Sequence, residues 1–394
     1  MPGCGSGQER LTEPVPLIPC QRALFDIPEG VAYFDCAKMS PLLNAAAEAG
    51  TAGLLRKSRP WEVKGEHFFD ESERVRGLYA SLIGAAADDV AIIPSVSYGM
   101  ATVMRNVPVA AGQAIVILGD EFPSGVYAAR ALAEREEARV VSVPRPEEGD
   151  WTAAVLEAID GGTALVLTQH VHWIHGTVID VEAIARRCRS VGASLVLDTT
   201  QSAGAYPLDI AAVDPDYIVA SSYKWLLGPY SLGFLYVAPR HQQGRPVEEG
   251  WITRKGSEDF RRLTAYEEAL APSARRFDMG ERSNFALLPV AGAAIEQLLA
   301  WGVGNIAETL GAMTRGLAER LREHGIAAAP GGAPHFLSVQ FDGGLPNGVE
   351  ERLAAADVHV SLRGETMRIT PHLYNDDADA DRLVRALADA AASR

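Results

Sequence analysis

Three short stretches of this 394-residue chain hold reactive side chains where such side chains are costly. In "YIVASSYKWLLGP" (217–229), Lys224 follows an apolar strand-like run and precedes Trp225, Leu226 and Leu227. A lysine after a strand is ordinarily a solvated surface residue. One dried by an indole and leucines instead has its pKa depressed, which yields a free amine able to attack a carbonyl. In "LVLDTTQSAGAYPLDI" (195–210), Asp198 closes an apolar strand, where a carboxylate needs a partner. It is either the N-cap of the following turn or the counter-charge of a protonated pyridine nitrogen, which keeps such a ring an electron sink. In "IIPSVSYGMATV" (92–103) a strand passes through Ser95, Ser97 and Gly99 into a helix. That is either a serine cap or a phosphate cradle of hydroxyls and free backbone N–H groups.

The elements that must carry these residues are legible as apolar runs alternating with amphipathic stretches. Strands are expected at 90–95, 114–119, 138–143, 163–171, 193–198, 217–222 and 233–238, with helices at 97–107, 124–136, 151–160 and 180–191. Continuous β-branched strands separated by helices predict an α/β fold: a mostly parallel seven-stranded sheet covered on both faces. Ligands bind at the carboxyl edge of such sheets, so one pocket there can collect Ser95, Ser97, Asp120, His172, Asp198 and Lys224. Residues 240–280 are polar and irregular. Two helices (284–302 and 305–325) and a short α+β segment follow. The expected division is an N-terminal arm (1–30), a large domain (31–265) and a smaller α+β C-terminal domain (266–394), joined by part of the N-terminal segment.

The histidines of "TQHVHWIHGTVID" (168–180) invite a metal reading. No nearby Asp, Glu or Cys completes a usual zinc spacing around His170, His172 and His175, so no metal is expected. His172 is then either a pocket residue acting as general acid or base, or a hydrogen-bonded structural histidine. A formal net charge of −15 argues against nucleic acid or an anionic membrane as the main partner. Four cysteines without a C-x-x-C pair suit a reducing cytoplasm. The first residues have neither an apolar core nor a basic leader, and no apolar run approaches a membrane-spanning length.

In order and spacing, the hydroxyl turn, the strand-end D-x-x-Q (Asp198, Gln201), the S-x-Y-K (Ser221 to Lys224) and "MRITPHLYN" (367–375) resemble the class V aminotransferase family of pyridoxal-phosphate enzymes. Cysteine desulfurases, kynureninases and isopenicillin-N-epimerase-like proteins belong to that family, and the resemblance covers roughly residues 30–394. It implies the fold-type I architecture and a homodimer with active sites near its interface. Carried over residue by residue, Lys224 would hold the cofactor as an imine and shuttle protons. Asp198 would pair with the pyridinium nitrogen and Gln201 would bond the phenolic oxygen. The Val96 backbone, Ser97, Ser221 and Tyr223 would hold the phosphate, and Phe122 would stack on the ring. Arg368 would bind the substrate α-carboxylate through its bidentate fork. Gly280 with Ser283 or Asn284, in "RRFDMGERSNF" (275–285), would reach the partner subunit's cofactor phosphate.

Two departures from the family pattern matter. No cysteine follows Cys188, so persulfide-forming desulfurase activity is not expected. Trp173 stands where many relatives have Asn near the cofactor hydroxyl, and its indole would shape the substrate pocket. The implied activity works on an α-amino acid through an external aldimine and a Cα carbanion. The Phe122, Trp173 and Tyr223 set favours a lyase, with an aminotransferase or an epimerase as the alternatives. A non-catalytic binding protein has no need of Lys224, Asp198 and Arg368 together. A dinucleotide enzyme would need a G-x-G-x-x-G turn that no early strand carries.

Overall fold

The computed structural model describes residues 17–329, 332–341 and 343–392. The first sixteen residues of the expected N-terminal arm, Cys4 among them, lie outside the described residues. The chain enters through a short strand, β1 (Ala32–Tyr33). The seven apolar runs then form β2 (Val90–Ile93), β3 (Ala114–Leu118), β4 (Arg139–Val143), β5 (Thr163–Gln169), β6 (Ser194–Asp198), β7 (Tyr217–Ser221) and β8 (Gly233–Val237). They make one sheet in the order β2-β8-β7-β6-β5-β3-β4, and only β8 runs against the rest. This is the α/β architecture expected from the sequence.

The near-continuous apolarity of the central strands follows from burial on both faces. On one face Ile115, Ile117, Leu165, Leu167, Val196 and Val219 pack under the helices Val96–Asn106 and Pro123–Arg135. On the other, Val116, Leu118, Val166, Leu195 and Leu197 pack under Trp151–Ala158 and Val181–Val191. Fully burying each such side chain stabilises by about 1.5–3 kcal/mol. Gly99 lets the first helix lie close to the sheet. A Cβ there would come within 2.8 Å of Ile93 and 2.9 Å of Val219.

A second, smaller layer is built from β9 (Leu337–Val339), β10 (Val358–His359), β11 (Ser361–Arg363) and β12 (Thr366–Ile369). β11, β12 and β9 form an antiparallel sheet, while β1 pairs in parallel with β10. The helix Asp377–Ala391 packs against this layer. Two long helices, Leu287–Trp301 and Val303–Glu323, lead into it from the irregular segment. Among the described residues no single helix is long and apolar enough to cross a membrane.

The helix Asp70–Ile83, absent from the sequence reading, has a buried side that includes Arg76 and Tyr79. Arg76 is wholly buried and meets Asp278 with two bonds of 3.0 and 2.8 Å. Asp278 also accepts from Ile92 N (2.8 Å) and from Arg282, fastening β2 to the segment before Leu287. These arginines hold the Asp278 carboxyl below its usual range despite full burial. Replacing Asp278 by Ala strands two buried guanidinium groups. The expected loss is about 3–5 kcal/mol of unfolding free energy, read from denaturant titration. A loss under about 1 kcal/mol, the size of a surface pair, would contradict this account of the contact.

Candidate active site

The carboxyl ends of β2, β3, β5, β6 and β7 meet at one edge of the sheet. Each contributes residues at its last position or just beyond it. Together they enclose a cavity of about 330 Å³ whose wall includes Ser97, Phe122, Trp173, Asp198, Ser221 and Lys224. Val96, Gln201 and Tyr223 line it as well. Ser95 completes the set, so eleven of the residues singled out from the sequence fall on, or directly behind, a single surface, counting Arg368 behind the wall.

Lys224 sits in the loop between β7 and β8. Of the chain's five lysines it alone is buried, at 6% exposure. Trp225, Leu226 and Leu227 behind it are almost fully buried. The backbone is shaped to allow this: Leu227 has φ +53° and Ser231 has φ +64°, positions that cost a non-glycine residue energy. Gly204, at φ +94°, passes so close that a Cβ would lie 2.5 Å from the Trp225 carbonyl oxygen. The Lys224 ammonium faces two rings, 5.7 Å from the centroid of Phe122 and 5.6 Å from that of Tyr223. Burial brings the amine down to about 8; Asp198 opposes that fall, while Arg368 and Arg363 add to it.

Asp198 ends β6 and is 7% exposed. Its Oδ1 accepts from Thr200 N at 2.8 Å, so the local turn bond and a place on the cavity wall coexist. Burial pushes its carboxyl up from the usual range, against the pull of Thr200 and Lys224. The wall therefore disfavours charge on both groups, and a cation facing Asp198 would relieve it. Gln201 is held by Nε2 on the Ala37 carbonyl (3.1 Å) and by Trp225 Nε1 on its Oε1 (2.8 Å).

The end of the cavity expected to take a phosphate is equally defined. Ser95 caps the helix Val96–Asn106 by accepting from Tyr98 N (3.1 Å), and its hydroxyl lies 2.9 Å from that of Ser97. The first helical residues, Val96 and Ser97, thus open onto the cavity. Ser221 Oγ is buried there without a hydrogen-bond partner. An orphaned hydroxyl, a second hydroxyl pair and a helix N-terminus on one wall suit a phosphate.

One expected cavity residue is displaced, and two other expected contacts take defined places in the fold. His172 is not a cavity residue: it is wholly buried between the rings of Trp151 (5.0 Å) and His175 (5.2 Å). Its Nδ1 takes up the Ile174 and His175 amides, and burial lowers it to about 3, so it is a neutral structural histidine. Arg368 is 1% exposed and stands behind the wall. Its Nε and Nη2 bond Ser361 Oγ at 2.9 and 2.7 Å, and its Nη1 bonds the Trp173 carbonyl at 2.9 Å. Its fork is engaged within the chain, so contact with a substrate carboxylate requires these bonds to exchange. Gly280, Ser283 and Asn284 lie outside the cavity, in a neighbouring groove of about 810 Å³ that shares Pro94 and Ser231 with it. Within the chain Ser283 bonds the Phe68 carbonyl, and Asn284 caps the helix Leu287–Trp301. Among the described residues no group of three or more His, Cys, Asp or Glu is placed to hold a metal ion.

Sequence reasoning missed Glu121. It is 5% exposed, next to Phe122, and burial together with Asp198 lifts its carboxyl to about 8. An acid directly before a cavity aromatic was the available signal.

Residues 50–385 match the family model described as Aminotransferase class-V. The uncharacterized aminotransferase YcbU of Bacillus subtilis (strain 168) is 28% identical over 339 residues, 82% of this chain and 83% of that protein. The kynureninase of Burkholderia mallei is 31% identical over 257 residues, 60% of this chain and 58% of its own length. Among solved structures, the apo cysteine desulfurase of Thermococcus onnurineus NA1 superposes with a TM-score of 0.83 at 20% identity, covering 94% of this chain and 98% of that one. The cystine C-S lyase C-DES, solved with its product cysteine persulfide, gives 0.81 at 21% identity over 91% and 97% of the two chains. At such identities these structures speak for the fold.

A lysine amine attacks a carbonyl only when unprotonated, and here the free fraction grows as pH rises through about 8. The rate at which the apo protein takes up an aldehyde cofactor, followed by quenching of tryptophan fluorescence, is expected to climb through that pH and level off above it. A rate still climbing near the pKa of about 10.4 of a free lysine would contradict the burial account.

Proposed function

The chain belongs to the class V aminotransferase family and its cofactor is pyridoxal phosphate; from that premise we propose that it is a lyase that splits a group from the side chain of an α-amino acid. Bound there, pyridoxal phosphate supplies an electron sink for the pair left when a bond to the substrate Cα breaks. Lys224 would hold it, Asp198 would keep its ring nitrogen charged, and Phe122 would lie against the ring. Ser97, Ser221, Tyr223 and the Val96 amide would take the phosphate, and Gln201 would face the ring oxygen.

The observation that carries the lyase reading is the make-up of the cavity wall. Phe122, Trp173, Tyr223 and Tyr230 crowd the same cavity as the Lys224 amine. Burial brings that amine to about 8, so once free it would take the Cα proton and return a proton to the departing group. Inverting Cα would call for a second proton donor on the opposite face, a part that Tyr223 on the cavity wall would have to fill. Burial pushes the Tyr223 hydroxyl up and makes it a weaker acid. The aromatic walls would keep water from the reacting Cα and give an apolar or sulfur-containing side chain a surface to rest on.

A persulfide carried on the protein is not part of this proposal. Cys36 and Cys188 are buried, and burial raises both thiols, so neither is a ready thiolate. A homodimer is. Leu54, Trp61, Trp251, Phe260 and Tyr266 are exposed, and Leu54 and Trp251 line the groove beside the cavity. A second copy seated there would bring side chains toward the cavity mouth through Gly280, Ser283 and Asn284.

The test is a panel of amino acids incubated with the loaded enzyme, with pyruvate, ammonia and released side-chain fragments quantified. Fragment release in step with ammonia or alanine is expected. Racemisation, or keto-acid exchange with the side chain intact, would overturn the lyase assignment in favour of an epimerase or an aminotransferase. Asp198→Asn is expected to bind cofactor yet lower kcat on the order of 100-fold or more, the size of one lost preorganised charge contact.

A further inference from the structure

One buried acid, bonded to the cavity residues Phe122 and Gln169 from behind the wall, has no part in the chemistry above. Glu121 bridges the end of β3 and the helix Pro123–Arg135. Its Oε1 accepts two donors, the Phe122 amide at 2.7 Å and the side-chain amide of Gln169. Gln169 is the last residue of β5, in register beside Asp198, and is 2% exposed. Its own Oε1 accepts from Trp173 N at 2.8 Å. The Trp173 carbonyl then accepts from Arg368 (2.9 Å), and the indole N–H returns to the Asp120 carbonyl (2.6 Å). The loop closes where the rings of Phe122 and Trp173 meet edge to face at 5.3 Å.

The space for this acid is kept open at a cost. Gly125 stands in the first turn of the helix Pro123–Arg135, where glycine is a poorer helix former than alanine. A Cβ there would come within 3.2 Å of Glu121 Cγ and 3.0 Å of Leu167. The other oxygen, Oε2, is buried without a partner. An ionised carboxylate in that position, with Asp198 close by, would be poorly tolerated, whereas a neutral acid retains Oε1 as the double acceptor.

We propose that Glu121 is a positioning residue that sets both walls of the cavity at once, Phe122 directly through its backbone N–H and the Trp173–Arg368 pair through Gln169. Its substrate arm rests on the amino-acid chemistry proposed above; its cofactor arm does not. Truncating Glu121 would free Phe122 from one bond and let the Gln169 amide, and with it the Trp173 backbone, move. Arg368 would then lose the carbonyl that fixes one of its nitrogens.

The test compares Glu121→Ala, Glu121→Gln and Gln169→Ala as holoenzymes. Three readouts are taken: the dissociation constant for pyridoxal phosphate, the circular dichroism of the bound cofactor's visible band, and KM against kcat for the best amino acid of the panel. Glu121→Ala is expected to weaken cofactor binding about ten-fold, the effect of one lost buried hydrogen bond, to diminish the visible band, and to raise KM more than it lowers kcat. Gln169→Ala is expected to raise KM and leave the band in place, because Phe122 keeps its bond to Glu121. Glu121→Gln still offers an oxygen to both donors and is expected to stay within about two-fold of the parent on every readout. A folded Glu121→Ala protein with unchanged band and KM would overturn the proposal, as would a Glu121→Gln protein as impaired as Glu121→Ala. If Glu121→Ala does not fold, an unchanged KM in Gln169→Ala overturns it. A parent enzyme that binds pyridoxal phosphate but processes no amino acid would sink the proposed function. The cofactor affinity and dichroism of the Glu121 variants would still decide the present inference.

Discussion

Everything at the sheet edge depends on keeping water from one amine. A lysine in water holds its proton well above neutral pH and is useless as a nucleophile there. Lys224 escapes this because Trp225, Leu226 and Leu227 are packed beneath it and rings stand in front of it. The left-handed backbone at Leu227 and Ser231 and the close passage of Gly204 under Trp225 are what the chain accepts to build that dry corner. The parallel sheet supplies the rest, because five strands deliver their terminal residues to the same rim.

The electrostatics of the rim are deliberately unbalanced. Burial raises Asp198 and lowers Lys224, so each is less charged than it would be in water. Glu121 is raised beside Asp198 for the same reason. Arg368 too is pulled down, to about 10, by burial and by Arg363, with Asp35 3.9 Å away as its compensating acid. A site in this condition gains by accepting a ligand that carries its own cation toward Asp198 and its own anion toward the hydroxyls. Pyridoxal phosphate does both, which is the physical sense in which the residues fit it.

Strand runs and the Ser-Tyr-Lys and Asp-x-x-Gln spacings made the sheet and most of the cavity wall legible in the sequence. The α/β class follows directly from β-branched runs separated by helices. What escaped was set by packing. The helix Asp70–Ile83 carries Ser72 and Arg76 on its buried side, so its apolar period is broken by residues that the core accepts only because Asp278 is there. Its acidic first turn and the left-handed Gly84 at its end were the signals left unread. His172 was placed by its position at the end of a strand, which cannot foresee that Trp151 closes over it. Arg368 was identified by its motif, but its bonds to Ser361 arise from a hairpin register that pairs the two residues directly. Spacing along the chain does not reveal such a register.

The most direct measurement is borohydride reduction of the protein with pyridoxal phosphate, followed by peptide mapping by mass spectrometry. The account predicts a visible absorption band that disappears on reduction, with the cofactor's mass fixed to the peptide that contains Lys224. Label spread over the exposed Lys38, Lys57, Lys64 and Lys255, or no visible band at all, would contradict it.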